Sequence, residues 1–175
     1  MRFDAQETHV YSIIKRRFSL QMISDYQSDE REFFSVEQKN LRLLLNFLKN
    51  DSDTKLKNLV DILVLETRQD QKQSNFTLHY LLRSYSYPYE AVIVLPLASN
   101  GFFLSVADLF PSANWLEREI WDSYGLIPEG HPKLKRILLY KGFSGHPMQK
   151  AYPVSKAQPL IKMPFTSVTE TNDDE

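Results

Sequence analysis

The segment Phe76-Thr77-Leu78-His79-Tyr80-Leu81-Leu82-Arg83 alternates apolar Phe76, Leu78, Tyr80 and Leu82 with Thr77, His79 and Arg83. A period of two, carried by aromatic and aliphatic side chains, specifies a strand with one buried face. Runs of the same kind occupy residues 59–67 and 91–95, and 101–104 is a shorter fourth. The polar turns between them, at 69–75, 84–90 and 98–101, are too short for parallel crossovers, which need a dozen or more residues. These strands therefore read as an antiparallel meander.

Upstream, the period changes. Leu41, Leu44, Leu45 and Leu48 lie three and four residues apart, which marks an amphipathic helix ending near Asn50, with Ser35 and Gln38 as its capping box. Ser105 with Asp108 is expected to cap a single helical turn, and a further helix begins near Ala113. The fold class is α+β: an antiparallel sheet of about four strands packed with helices, followed by a C-terminal helix and extended loops. Residues 32–154 form the domain, and 1–31 form an N-terminal docking segment. Val10, Ile13, Ile14 and Phe18 have helical spacing there, beside Lys15, Arg16 and Arg17. No secretory h-region is present, and Asp4 and Glu7 argue against an import presequence. Residues 27–32 read as a polar linker. Residues 155–175 are rich in Pro, Thr and, at the end, acids, and are expected to be an extended or disordered tail.

Composition removes several function classes. The chain has 175 residues and a formal net charge of -1, so no global field favours nucleic acid or an anionic membrane. No apolar run is long enough to cross a bilayer. The chain contains no cysteine, which excludes disulfides and thiolate-held zinc or iron–sulfur clusters within it. Any redox chemistry would belong to neighbours.

The densest concentration of informative residues comes last. It reads Trp-Leu-Glu-Arg-Glu-Ile-Trp-Asp-Ser-Tyr-Gly-Leu (115–126), Glu-Gly-His-Pro (129–132), Leu-Lys-Arg-Ile-Leu (134–138) and Gly-Phe-Ser-Gly-His-Pro-Met-Gln-Lys (142–150). On a helical wheel Ala113, Leu116, Ile120 and Tyr124 share one face, with Trp121 at its shoulder. Trp115, Arg118, Glu119 and Asp122 fall opposite, where Arg118 and Asp122 have the spacing of an ion pair. Glu117 lies on the apolar face. Two readings are open for it: the reciprocal partner of a capping box with Asn114 as N-cap, or a buried contact with Arg136, His131 or His146. Gly125 is placed to end the helix, and Pro128 prevents its continuation. Each Gly-His-Pro triplet fixes loop backbone through a permissive glycine and a residue held extended before proline.

This ordered set of motifs resembles the thirty-kilodalton (NuoC-type) hydrophilic subunit of respiratory complex I, the proton-pumping NADH–quinone oxidoreductase. The likeness is strong from about Ser105 to Pro153 and looser back to about Phe33. The resemblance implies a family motif and interface at Trp115, Glu117, Arg118, Glu119, Asp122, Gly130, His131, Pro132, Arg136, Gly145, His146, Pro147 and Lys150. Where the family usually carries Asp, Glu, Arg and Asp, this chain has Tyr140, Ser144, Gln149 and Ala151, so the second loop loses charge. The resemblance further implies no catalytic residue, metal or cofactor in this chain. FMN and iron–sulfur clusters belong to partner subunits, chiefly the large quinone-site subunit and its iron–sulfur neighbours. The implied place is the peripheral arm, on the matrix side of the mitochondrial inner membrane or the cytoplasmic side of a bacterial plasma membrane. The heavy use of Phe, Tyr, Leu, Lys and Asn favours an organelle genome.

Read from residue types alone, three classes compete. A metal-dependent or acid/base hydrolase would use Glu117, Asp122, His131 and His146, yet neither histidine has helical metal-site spacing and no nucleophile motif is present. A nucleic-acid module lacks a basic stripe, although Tyr85, Tyr87 and Tyr89 offer stacking surfaces. His79, alone on the second face of its strand, reads as a surface or satisfied core residue, because a catalytic histidine needs a positioned partner. An interaction subunit suits Trp115, Arg118, Trp121 and Tyr124, the residue types that anchor interfaces.

Overall fold

The structure, a computed structural model, describes residues 12–14, 23–28, 31–70, 73–87, 90–98 and 101–158. A five-stranded sheet is built from β1 (Ile23–Ser28), β2 (Arg31–Val36), β3 (Asn58–Asp70), β4 (Gln73–Arg83) and β5 (Glu90–Pro96), in the order β1-β2-β5-β4-β3. Helix α1 (Gln38–Asn50) covers its inner face. Leu41, Leu44, Leu45 and Leu48 of α1 are buried in one cluster with Leu78, Tyr80, Leu82, Ile93 and Leu95 of the sheet. The α+β class and the alternation of β4 are as the sequence predicts.

The meander holds for β3, β4 and β5, whose neighbours pair antiparallel, Tyr80 standing opposite both Ile62 and Ile93. The sheet as a whole is mixed. β2 pairs in parallel with β5, and the excursion through α1, β3 and β4 supplies the long connection such a pair requires. The expected linker at 27–32 falls instead within a hairpin, since Gln27 pairs with Glu32 and Ser28 with Arg31. Ser35 belongs to β2, opposite Val94, so it caps nothing; the N-cap of α1 is Glu37, without a side-chain cap bond.

The fourth run does not join this sheet. β6 (Phe102–Leu104) pairs in parallel with β7 (Ile127–Glu129), and helix α2 (Ala113–Tyr124) is the crossover between them. A two-stranded sheet and one helix thus make a compact β-α-β unit docked beside β3. Phe103, Val106, Phe110, Ala113, Ile120 and Leu126 carry the core of the large sheet into this unit. After β7 the chain runs without regular structure to residue 158, as a strap laid over α2.

Residues 12–14 are helical, with Ile13 and Ile14 buried. Val10 and Phe18, which share their spacing, lie outside the described residues, as does the tail beyond 158.

Candidate functional site

Helix α2 ends as its sequence requires. Gly125 adopts φ 74°, and its N–H closes the last turn onto the Trp121 carbonyl at 2.9 Å. Its start differs from expectation. The N-cap is Ser112, not Asn114, and it makes no side-chain cap bond; its hydroxyl donates to the Leu59 carbonyl on β3 at 2.9 Å.

Glu117 is fully buried. It bonds neither as a cap nor to Arg136 or either loop histidine. Its carboxylate accepts from the Ser105 hydroxyl at 2.6 Å and from the Val106 N–H at 2.7 Å. These groups sit in the turn before α2, so the carboxylate fastens the end of β6 to the helix. Burial pushes the Glu117 carboxyl up from its ordinary value, against the lowering effect of these two bonds. Ser105 also accepts from the Ala107 N–H, and Asp108 receives a two-pronged ion pair from Arg42 of α1.

Asp122 overturns the wheel. Placed on the outer side by periodicity, it is fully buried, because the strap covers that side of α2. One carboxylate oxygen accepts three consecutive N–H groups, from Ile137, Leu138 and Leu139, at 3.0, 2.9 and 2.9 Å. The other receives Arg136 at 2.6 Å. Burial raises the cost of this charge, but the three N–H bonds and Arg136 outweigh it and hold the carboxyl below its ordinary value. Arg136 also donates to the Phe143 carbonyl and lies over the Trp121 ring. Arg118 pairs with no carboxylate at Asp122: it donates to the carbonyls of Lys135 and Arg136 and stacks on Trp115. Glu119 remains exposed.

Both histidines are structural in their bonding. His131 Nδ1 accepts from the Lys133 N–H, which leaves Nε2 to donate to the Asn114 carbonyl at 3.1 Å. His146 Nδ1 donates to the Asp122 carbonyl at 3.0 Å, and its ring lies against Gly125. A Cβ at position 125 would sit 2.6 Å from the His146 ring, so this glycine serves both the positive φ and the close approach. Gly130 and Gly145 likewise adopt positive φ, ahead of His131-Pro132 and His146-Pro147. Lys150 crosses to the sheet, its N–H donating to the Glu66 carboxylate and its ammonium to the Glu66 carbonyl, each at 2.8 Å.

The hydrolase constellation does not assemble. Neither histidine is hydrogen-bonded to the carboxylate of Glu117 or Asp122, and both carboxylates are occupied by backbone N–H groups. Among the described residues no three of His, Asp and Glu form a metal-sized cluster. What the arrangement does is hold irregular backbone rigid on a helix.

The model of the family described as respiratory-chain NADH dehydrogenase, 30 Kd subunit, matches residues 34–158, from β2 through the whole strap. The chain belongs to that family. NADH-ubiquinone oxidoreductase subunit 9 of Acanthamoeba castellanii is 32% identical over 140 residues, covering 80% of this chain and 70% of that relative. Subunit 9 of Dictyostelium citrinum is 38% identical over 122 residues, 69% of this chain, and the chain spans 58% of that relative's length. A bacterial relative, an NADH-quinone oxidoreductase subunit of Rhizobium rhizogenes, is 36% identical over 67% of this chain and 58% of its own length. The fold also resembles a trypsin-resistant fragment of Nqo5, with a TM-score of 0.54 at 20% identity, covering 64% of this chain and 89% of the fragment.

The departures from the family pattern find local replacements. Tyr140 packs edge-on against Phe143, which stacks on Tyr152. Gln149 donates to the Tyr124 carbonyl, satisfying a C-terminal group of α2. Ser144 presents its backbone to Gln158 and Lys156, and Ala151 is exposed. Sequence reasoning named Ser105 only as the cap of its own turn; it missed Ser112 and Glu66. Each is an unremarked polar residue whose partner lies on another element, and no periodicity marks it.

Proposed function

We propose that this chain is a core subunit of the peripheral arm of proton-pumping NADH:quinone oxidoreductase, scaffolding the quinone-reducing module without binding a cofactor. One observation carries the reading. The family match spans the β-α-β unit and strap, where the signature residues Glu117, Asp122, Arg136, His131 and His146 all bond to backbone or to one another. Residues spent in this way build a shape for partners to recognise. FMN, iron–sulfur clusters and quinone would be held by those partners, the large quinone-site subunit and adjacent iron–sulfur subunits among them. The absence of cysteine from the chain agrees with that division of labour.

No helix among the described residues is long and apolar enough to cross a membrane. The subunit would therefore be peripheral, on the matrix side in a mitochondrion or the cytoplasmic side in a bacterium. Of the expected N-terminal docking segment 1–31, β1 pairs into the sheet and Ile14 joins its core, so that part belongs to the domain.

A tagged copy expressed in its own cells and resolved by native electrophoresis tests the proposal. It should migrate with a large assembly that stains for NADH oxidation and contains flavin and iron. Migration only as the free chain, or NADH or hydrolytic turnover by the isolated chain, would overturn it.

A further inference from the structure

Charge is strongly segregated along this chain. Between residues 130 and 169 there is no Asp or Glu, so all 22 acidic residues lie elsewhere. The described part of that stretch, the strap, carries Lys133, Lys135, Arg136, Lys141, Lys150 and Lys156. Arg136 and Lys150 turn inward to Asp122 and Glu66, and Lys156 donates to the Ser144 carbonyl. Lys133, Lys135 and Lys141 stay exposed and pair with no carboxylate among the described residues.

The same strap displays apolar side chains to solvent. Leu138 is 63% exposed, and its own N–H is one of the three held by Asp122. It is therefore presented on rigid backbone. Met148, 57% exposed, follows the second Gly-His-Pro, and its N–H donates to the Ser123 carbonyl, one residue along α2 from that anchor. Trp115, 60% exposed, stacks on the Arg118 that grips the carbonyls of residues 135 and 136. The three apolar groups are thus joined through one bonded framework, and the three lysines free of carboxylates lie within five residues of Leu138 along the strap.

We infer that this face of the strap is a docking surface for an acidic protein surface bearing an apolar socket that receives Leu138. The inference rests on the subunit reading above and names the face and chemistry of one of its interfaces. Charge complementarity selects the occupant. Three free cations close in sequence to a preformed apolar knob call for carboxylates beside a pocket. An anionic bilayer shares the sign, but all 22 acidic residues lie elsewhere in the chain and a net charge of -1 gives the molecule no overall attraction to it.

The test uses the tagged full chain in its own cells, with the fraction entering the NADH-oxidising assembly as the readout. Leu138→Asp and the triple variant Lys133→Glu, Lys135→Glu, Lys141→Glu should each reduce that fraction at least tenfold, while Leu63→Asp, on the exposed face of β3, should not. Melting of the purified variants checks the fold. Should the triple reversal melt early, the milder triple Lys→Gln set takes its place, with incorporation expected to fall severalfold. Normal incorporation of folded variants overturns this inference and leaves the subunit reading standing. A wild-type chain that never enters the assembly overturns both. Purified wild type is also mixed with vesicles of phosphatidylglycerol and phosphatidylcholine. Co-flotation lost in the triple variant, with assembly unaffected, would assign the face to membrane and overturn the inference.

Discussion

Asp122 carries the heaviest local burden of any residue in the signature. Removing its carboxylate would strand Arg136 and three consecutive N–H groups in a covered site. Asp122→Ala should therefore cost about 3–5 kcal/mol, the scale for breaking a buried charged pair, as measured by urea denaturation. The pH dependence has a defined sign. The folded carboxyl is held below its ordinary value, so its stabilisation is present above the unfolded pKa and fades as pH falls through the folded one. Wild type should lose melting temperature in that acidic window, and Asp122→Asn should show a flatter profile there; parallel profiles would deny the linkage. Glu117 behaves oppositely. Its raised folded value means that ionisation weakens the fold as pH rises through it. Glu117→Gln should then gain on wild type from acid to neutral pH, while Glu117→Ala should cost about 1–3 kcal/mol for leaving the Ser105 hydroxyl and Val106 N–H unsatisfied. A Gln variant no better than Ala at neutral pH would rule this out. The helical wheel singles out Glu117 because a carboxylate on an apolar face is a local anomaly. It cannot find Ser105 or Val106, which lie in an upstream turn, and it misplaces Asp122 because a wheel knows only its own helix.

At the scale of elements, whatever is periodic and local is legible. The leucines of α1 and the alternation of β4 announce themselves, since one face of each must be apolar over several repeats. The three-residue β6 reads as a short run but not as part of a second sheet, β7 contains too few repeats to show a period, and the polar tip of the β1–β2 hairpin hides two strands behind turn-like composition. The C-terminal stop of α2 is legible in Gly125, but its second duty is not. Gly125→Ala should cost about 1–2 kcal/mol for the left-handed backbone alone, plus displacement of the His146 ring 2.6 Å away. Since His146 also holds the Asp122 carbonyl, the strap should shift with it. In a double-mutant cycle, Gly125→Ala combined with His146→Ala should destabilise by less than the sum of the two single changes. Strict additivity of the denaturation free energies would show that ring and helix end are not in contact.

Across the whole molecule, the strap is fastened at one end to α2 and at the other to the open edge of the sheet. Edge strand β3 presents outward carbonyls that invite further pairing. Two of them are closed by distant residues: the Leu59 carbonyl by Ser112, and the Glu66 carbonyl by the Lys150 ammonium. The Glu66 carboxylate, itself buried, returns a bond to the Lys150 N–H across 84 residues of sequence. No window of sequence reveals such a pair; only the lysine is marked, through the family motif that contains it. The staple makes a specific claim about cooperativity. Changing Glu66 and Lys150 together to alanine should release residues 146–152 while leaving the α1–sheet core intact, because that core is packed from Leu41, Leu44, Leu45, Leu48, Leu78 and Ile93 without strap side chains. Hydrogen–deuterium exchange resolved by segment would read this directly. Amides of 148–152 should exchange much faster in the double variant, amides of β4 and β5 at the wild-type rate. Light scattering should show more self-association as the edge of β3 opens. Unchanged exchange in the strap would mean that the α2 contacts alone hold it. Equal acceleration in strap and core would mean that the two unfold as one unit.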